Sequence, residues 1–89
     1  MEWKVTAKAP FESASFDVMK VDADGDLKFI IWVISNLPIR EGYILTPVID
    51  GYIANHNRAH FVSIKKVVLY SPEAWQVLRV NDEKIEIPH

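Results

Sequence analysis

Phe29-Ile30-Ile31-Trp32-Val33-Ile34 is an unbroken run of six apolar residues, mostly β-branched or aromatic. Such a run suits an extended strand with both faces out of water, because successive strand side chains point to opposite sides. Upstream, Asp22-Ala23-Asp24-Gly25-Asp26 supplies turn chemistry. The block therefore predicts a β-hairpin with strands at about Ser15 to Val21 and Leu27 to Ser35, the second arm apolar on both sides. One face can line the core of a small domain. The other needs cover: either the chain folds over it as a closed barrel, or Ile30, Trp32 and Ile34 meet another molecule.

Chain length sharpens that question. At 89 residues the sequence reads as one β-rich domain spanning 1–89, near the low end for folding on its own core. Hydrophobic residues make up 49% of it, and a small body has much surface to cover. Some apolar groups are then expected in an exposed patch that attracts a partner; the plainer alternative is that a small core needs large side chains.

Charge narrows the partner classes. Ten Lys and Arg are scattered among twelve Asp and Glu, for a net charge of −2. Lys65-Lys66 is the one adjacent basic pair, and on a strand its members face opposite ways. A phosphate backbone is bound by a basic stripe, so nucleic acid is not the favoured partner. There is no 18-residue apolar run, and Met1-Glu2-Trp3-Lys4 lacks a signal-peptide layout. The expectation is a cytoplasmic protein, in its own cell or a host cell, with no membrane association. Without cysteine there is no disulfide, thiolate nucleophile or thiolate metal site, and no cofactor is expected.

Along the chain, Glu2 to Ala9 alternates, with Trp3, Val5, Ala7 and Ala9 on one face of a strand that Pro10 ends. Phe11 to Ala14 then form a connection. Asn36-Leu37-Pro38 stops the apolar strand, and Arg40-Glu41-Gly42 is a turn. Tyr43 to Asn55 is strand-like, but Pro47 makes it an edge strand or splits it into Tyr43–Thr46 and Val48–Ile53 around a bulge. Gly51 is a further weak point. After the polar stretch Asn55 to His60, a strand runs from Phe61 to Tyr70 with Val62, Ile64, Val68 and Tyr70 on one side. Ser71-Pro72-Glu73 carries helix-start signals. Trp75 to Val80 nevertheless has strand propensity, and Val80 to Ile87 looks like a hairpin turning at Asn81-Asp82. A tight turn and a strand hairpin are the preferred reading, with a short helix over Ser71 to Val80 as the alternative. The fold class is mostly β: six or seven short antiparallel strands in a barrel or compact sandwich.

Three groups of residues invite chemistry. Asp22, Asp24 and Asp26 resemble the start of a calcium loop, but Leu27 stands where the sharp turn needs Gly and Val33 where the bidentate Glu belongs. No metal is assigned there. His56, Arg58 and His60 are the best catalytic candidates by type, as a base and charge clamp for phosphoester hydrolysis. They lack a third ligand or nucleophile, and on a strand the two His stand ~13 Å apart, too far to share a metal. A polar loop offering Arg58 to a partner is the plainer reading. Aromatics with Lys4, Lys8, Lys20 and Lys28 on one outer face could bind single-stranded nucleic acid, though Glu2 and Asp17 dilute that charge.

The residues favour a small non-enzymatic interaction protein of inhibitor, immunity, phage-encoded modulator or accessory-subunit type. It binds a protein through an apolar sheet face or edge strand. Trp32, Ile30 and Ile34 form the contact, Trp75 is partly exposed, and Arg58 or Arg40 anchors the rim. A homo-oligomer would cover the same face. A nucleic-acid-binding barrel and a small hydrolase on His56, Arg58 and His60 are the alternatives.

Overall fold

The computed structural model describes residues 2–13 and 16–85. Six antiparallel strands form a closed barrel: β1 (Trp3–Ser13), β2 (Phe16–Asp22), β3 (Lys28–Ser35), β4 (Ile44–Val48), β5 (Gly51–Ala54) and β6 (Asn57–Leu69). Their order around the barrel is β1-β2-β3-β6-β5-β4, and one helix, α1 (Pro72–Ile85), follows. Among the described residues no helix is long and apolar enough to cross a membrane.

The expected hairpin is present. β2 and β3 pair without interruption from Asp17↔Val33 to Asp22↔Lys28, across a turn in which Gly25 takes φ +70°. The apolar run is covered on both faces from within the chain. Ile31 and Val33 point into the barrel with Val5, Met19, Val21, Leu45 and Val62, all fully buried. Ile30 points outward yet is also fully buried, in a second cluster where Trp32, Val68 and Tyr70 meet Ala74, Trp75 and Leu78 of α1. The cover is the helix. Closure also leaves the sheet without the open edge that the edge-strand reading required.

Helix therefore replaces the preferred strand hairpin after Ser71. Ser71 is the N-cap, its Oγ accepting from the Ala74 backbone N–H at 3.0 Å, with Pro72 at the first helical position and Glu73 in the first turn. The closed barrel offers no edge for another hairpin to join, whereas a helix can lay Ala74, Trp75 and Leu78 on the outer cluster. Asn81 and Asp82 continue α1 instead of turning, and 86–87 lie outside the described residues.

Two bulges change which faces the strands present. Between Val5↔Val21 and Ala7↔Lys20 the register of β1 slips by one, with Thr6 donating its hydroxyl to the Lys20 carbonyl. Val5 thus faces the barrel, while Ala9 lies in the outer cluster, so the two do not share a face. A second slip on β6, between Trp32↔Lys66 and Val33↔Ile64, leaves Lys65 as the extra residue. Val62 and Ile64 go inside and Val68 and Tyr70 outside. Pro10 does not end β1; it falls within an irregular stretch between Lys8 and Glu12, where a missing N–H is tolerated.

Pro47 lies inside an unbroken β4, and the division of Tyr43 to Asn55 comes at Ile49-Asp50, a two-residue hairpin closed by Val48↔Gly51. Asn55 N–H donates to Ile44 O, so the backbone groups of residue 44, and by alternation 46 and 48, face β5. Those of 45 and 47 face β1, whose pairing stops at Trp3↔Leu45. Pro47 withholds its N–H from a position with no ladder partner. The next turn, Asn55-His56, has φ of 53° and 58° and is closed by Ala54↔Asn57, the type I′ geometry suited to a tight hairpin. β6 therefore begins at Asn57, four residues before the expected Phe61.

Gly51 is a point of close approach. A Cβ there would stand 2.9 Å from Phe61 Cζ and 3.0 Å from the Val62 carbonyl oxygen, at φ +154°. Gly51→Ala is expected to cost about 1–3 kcal/mol by strain and displaced packing. Urea unfolding checks this, and an unchanged midpoint would refute the close approach.

Candidate functional site

The outer wall away from the helix carries an apolar strip that follows from the register. Ile34 lies opposite Ser63, one step from Phe61 on β6; Phe61 lies opposite Ile53 on β5, and Gly51 and Val48 pair at the end of the β4–β5 hairpin. Diagonal neighbours on adjacent strands are within reach of large side chains. Ile34 and Phe61 are 41% and 37% exposed, and Ile49 at the hairpin tip is wholly in solvent. Turn tips favour Gly, Asn, Asp and Pro, so a free isoleucine there stabilises nothing within its own chain.

Beside the tip, Val48, Ile49, Asp50, Arg58 and Phe61 line a shallow depression of about 440 Å³. It places a guanidinium and a carboxylate next to aliphatic and aromatic surface. That mixture suits an interface rim around an apolar anchor.

The loop after β3 is strapped to this region. Phe61 N–H donates to Asn36 Oδ1 at 2.8 Å, and Asn36 Nδ2 donates to the Ala59 carbonyl at 2.7 Å. His60 is buried with its Nε2 2.9 Å from the Leu37 carbonyl and 2.8 Å from Ser35 Oγ, and its ring meets Tyr43 edge-on at 6.0 Å. A carbonyl only accepts, so Nε2 carries the proton. This His60 is a structural clamp that leaves Leu37 exposed beside the strip.

The three candidate catalytic residues do not share partners. His60 is tied to Ser35 and Leu37, while His56 stands in the turn with Nε2 3.5 Å from Glu2 Oε2. Arg58 lines the depression at the hairpin tip, which neither imidazole lines. Among the described residues no group of three His, Asp or Glu is placed to hold a metal ion.

The expected binding residues divide likewise. Ile34 and Arg58 are on the exposed strip, and Arg40 is exposed on the following loop. Ile30 is sealed under α1, Trp75 is half-buried against it, and Trp32 is half-buried with Lys66 Nζ 4.7 Å above its ring. Ile49, Val48 and Phe61 went unnoticed at the sequence level. The signal was Gly51, which directly follows the two-residue turn Ile49-Asp50 and leaves the isoleucine at the tip.

The lysines of the nucleic-acid reading are broken up. Lys4 and Lys28 both lie opposite Asp22, and the β1 bulge sets Lys8 opposite the core residue Met19, where it meets Asp17 at 4.0 Å. Lys20 sits 4.5 Å over the Tyr70 ring.

This architecture has known relatives. Residues 1–76 match the model of the IraM/PmrD family. The signal transduction protein PmrD of Escherichia coli (strain K12) is 30% identical over 78 residues, covering 85% of this chain and 89% of that protein. The crystal structure of E. coli PmrD aligns with a TM-score of 0.79 at 28% identity, over 91% of this chain and 98% of the other. The matched residues take in every barrel strand and the first turn of α1. By these matches the chain belongs to the IraM/PmrD family.

Proposed function

We propose that this protein is a non-catalytic signalling modulator that works by binding another protein through the strip Ile34, Phe61, Val48 and Ile49, with Arg58 as the polar anchor. The carrying observation is Ile49, a large aliphatic side chain wholly in solvent at the tip of a tight hairpin and continuous with exposed apolar surface. Membership of a family with a relative named as a signal transduction protein supports a regulatory role. The strip supplies apolar contact and one guanidinium, the composition of a hot spot with its rim. Aliphatic Ile34 and Ile49 are poor stacking platforms for bases, so protein fits this surface better than nucleic acid.

The test compares wild type with Ile49→Asp and Phe61→Ala as bait in a lysate of its own cells. Wild type is expected to retain one stoichiometric protein, and Ile49→Asp to lower the affinity for it by roughly 30-fold or more, as for a hot-spot residue of about 2 kcal/mol. Ile49 touches little of its own chain, so the unfolding midpoint should stay within about 0.5 kcal/mol of wild type. No retained protein, or equal retention by both, overturns the proposal.

A further inference from the structure

Ring closure leaves no strand unpaired along its whole length, yet β6 outruns its neighbour on one side. β3 pairs with it from Val62 to Leu69, whereas β5 pairs with it only from Asn57 to Val62. Tyr70 N–H donates to Lys28 O at 2.9 Å, so the backbone groups of residue 70, and by alternation those of 68 and 66, face β3. Those of Val67 and Leu69 face the other way, where no strand pairs with them among the described residues. Their side chains are 44% and 70% exposed, although Ile31 and Phe29, opposite them on β3, pack into the barrel core. One added strand would cover both the backbone groups and these side chains.

A free run of strand backbone recognises another extended chain: main-chain bonds supply affinity, and alternate side chains supply specificity. The charge of β6 narrows the choice. The strand carries Arg58, Lys65 and Lys66 and no acid. Lys65 and Lys66 are exposed, and Lys65 is the extra residue of the bulge where the free edge begins. Lysines and a bulge on an edge oppose pairing with a second copy, which would bring the lysines of both together. The same lysines favour a strand of opposite charge. Alternation then sets its pattern: apolar residues opposite Val67 and Leu69, and acids between them on the face of Lys66.

We propose that the edge of β6 from Lys65 to Leu69 receives an extended acidic segment of the partner protein, added as a strand beside Val67 and Leu69. This rests on the reading that the partner is a protein, and it names how that partner is held.

The experiment uses the full chain labelled with nitrogen-15 and a capped hexapeptide of alternating glutamate and valine. The Val67 and Leu69 amide signals are expected to move saturably, in a roughly millimolar range for so short a ligand, and their hydrogen exchange to slow. A lysine–valine hexapeptide should bind at least about fivefold more weakly. Methylating the valine backbone nitrogens, which face the edge, should weaken binding at least about tenfold. Methylating the glutamate nitrogens, which face solvent, should not. Val67→Pro removes a donor that the barrel does not use, so the chain should stay folded and lose the peptide to the same degree. The edge is overturned if no saturable shift appears, if the lysine peptide binds as well, or if the two methylated peptides bind equally. It is also overturned if the Val67 and Leu69 amides gain protection as protein concentration alone rises, which makes a second copy the occupant. The methylated peptides are compared on wild type, so they decide the matter even if Val67→Pro fails to fold. A peptide that fails while Ile49→Asp still loses its protein overturns the edge and leaves the strip; a peptide that binds while wild type retains no protein does the reverse.

Discussion

Ile31→Ala is expected to lower the stability of this protein by about 2–5 kcal/mol, and Ile34→Ala by less than about 0.5 kcal/mol. The residues lie three apart on the same strand and differ in what surrounds them. Ile31 is fully buried among Met19, Val33 and the barrel core, so truncation removes transfer energy and leaves a cavity. Ile34 is 41% exposed on the outer strip, where a smaller side chain leaves no void. Ile30→Ala belongs with Ile31 in cost, because α1 seals it although it faces away from the barrel. A domain of this size has about 5–10 kcal/mol to lose, so Ile31→Ala is enough to populate the unfolded state at moderate urea. Urea midpoints at constant slope give all three values. Equal losses at 31 and 34 would mean that β3 does not present these faces.

The hairpin of β2 and β3 was legible because two independent signals agreed: acids with Gly25 at the turn, and unbroken apolar sequence in the second arm. Face assignment elsewhere was not. Trp3, Val5, Ala7 and Ala9 alternate in sequence, but the slip around Thr6 sends Val5 inward and Ala9 outward. One extra residue reverses every face beyond it, and a bulge leaves no mark in a pattern of apolar and polar letters. Lys65 does the same on β6. For this reason Lys8, which looks co-facial with Lys4 in sequence, lies opposite the inward-facing Met19 instead.

Parts of the proposed binding surface were readable from residue type. Ile34 and Arg58 stood out by type and are exposed, while Ile49 was hidden inside a strand-like run that the Ile49-Asp50 turn divides. His56 and His60 looked like one site because they are near in sequence. The tight turn at Asn55-His56 and the inward facing of His60 give them separate environments. Nothing in the local spacing encodes that His60 meets Ser35 and Leu37, residues more than twenty positions away.

Trp75→Ala is the substitution expected to unseat the helix. Trp75 joins Ala74 and Leu78 in covering Ile30, Trp32 and Val68, while Val77 on the same helix is 53% exposed. A fully buried Trp→Ala change costs about 3–5 kcal/mol, and the half-buried position of Trp75 brings the expected loss to about 1.5–3 kcal/mol. Val77→Ala should cost less than about 0.5 kcal/mol. Stability alone does not separate loss of the helix from loss of packing, so the informative readout is Trp32. With α1 loosened, the Trp32 ring loses its neighbours, and its emission should move to longer wavelength while far-UV helical signal falls. An apolar dye should bind the uncovered face at the same time, since Ile30, Trp32 and Val68 together would form a contiguous exposed patch. If Trp75→Ala loses stability with helical signal and Trp32 emission unchanged, the helix is held by its Ser71 cap and remaining contacts, and the second face of the apolar strand does not depend on this tryptophan for cover. The opposite result makes α1 the element that lets a strand apolar on both sides exist in a barrel of this size.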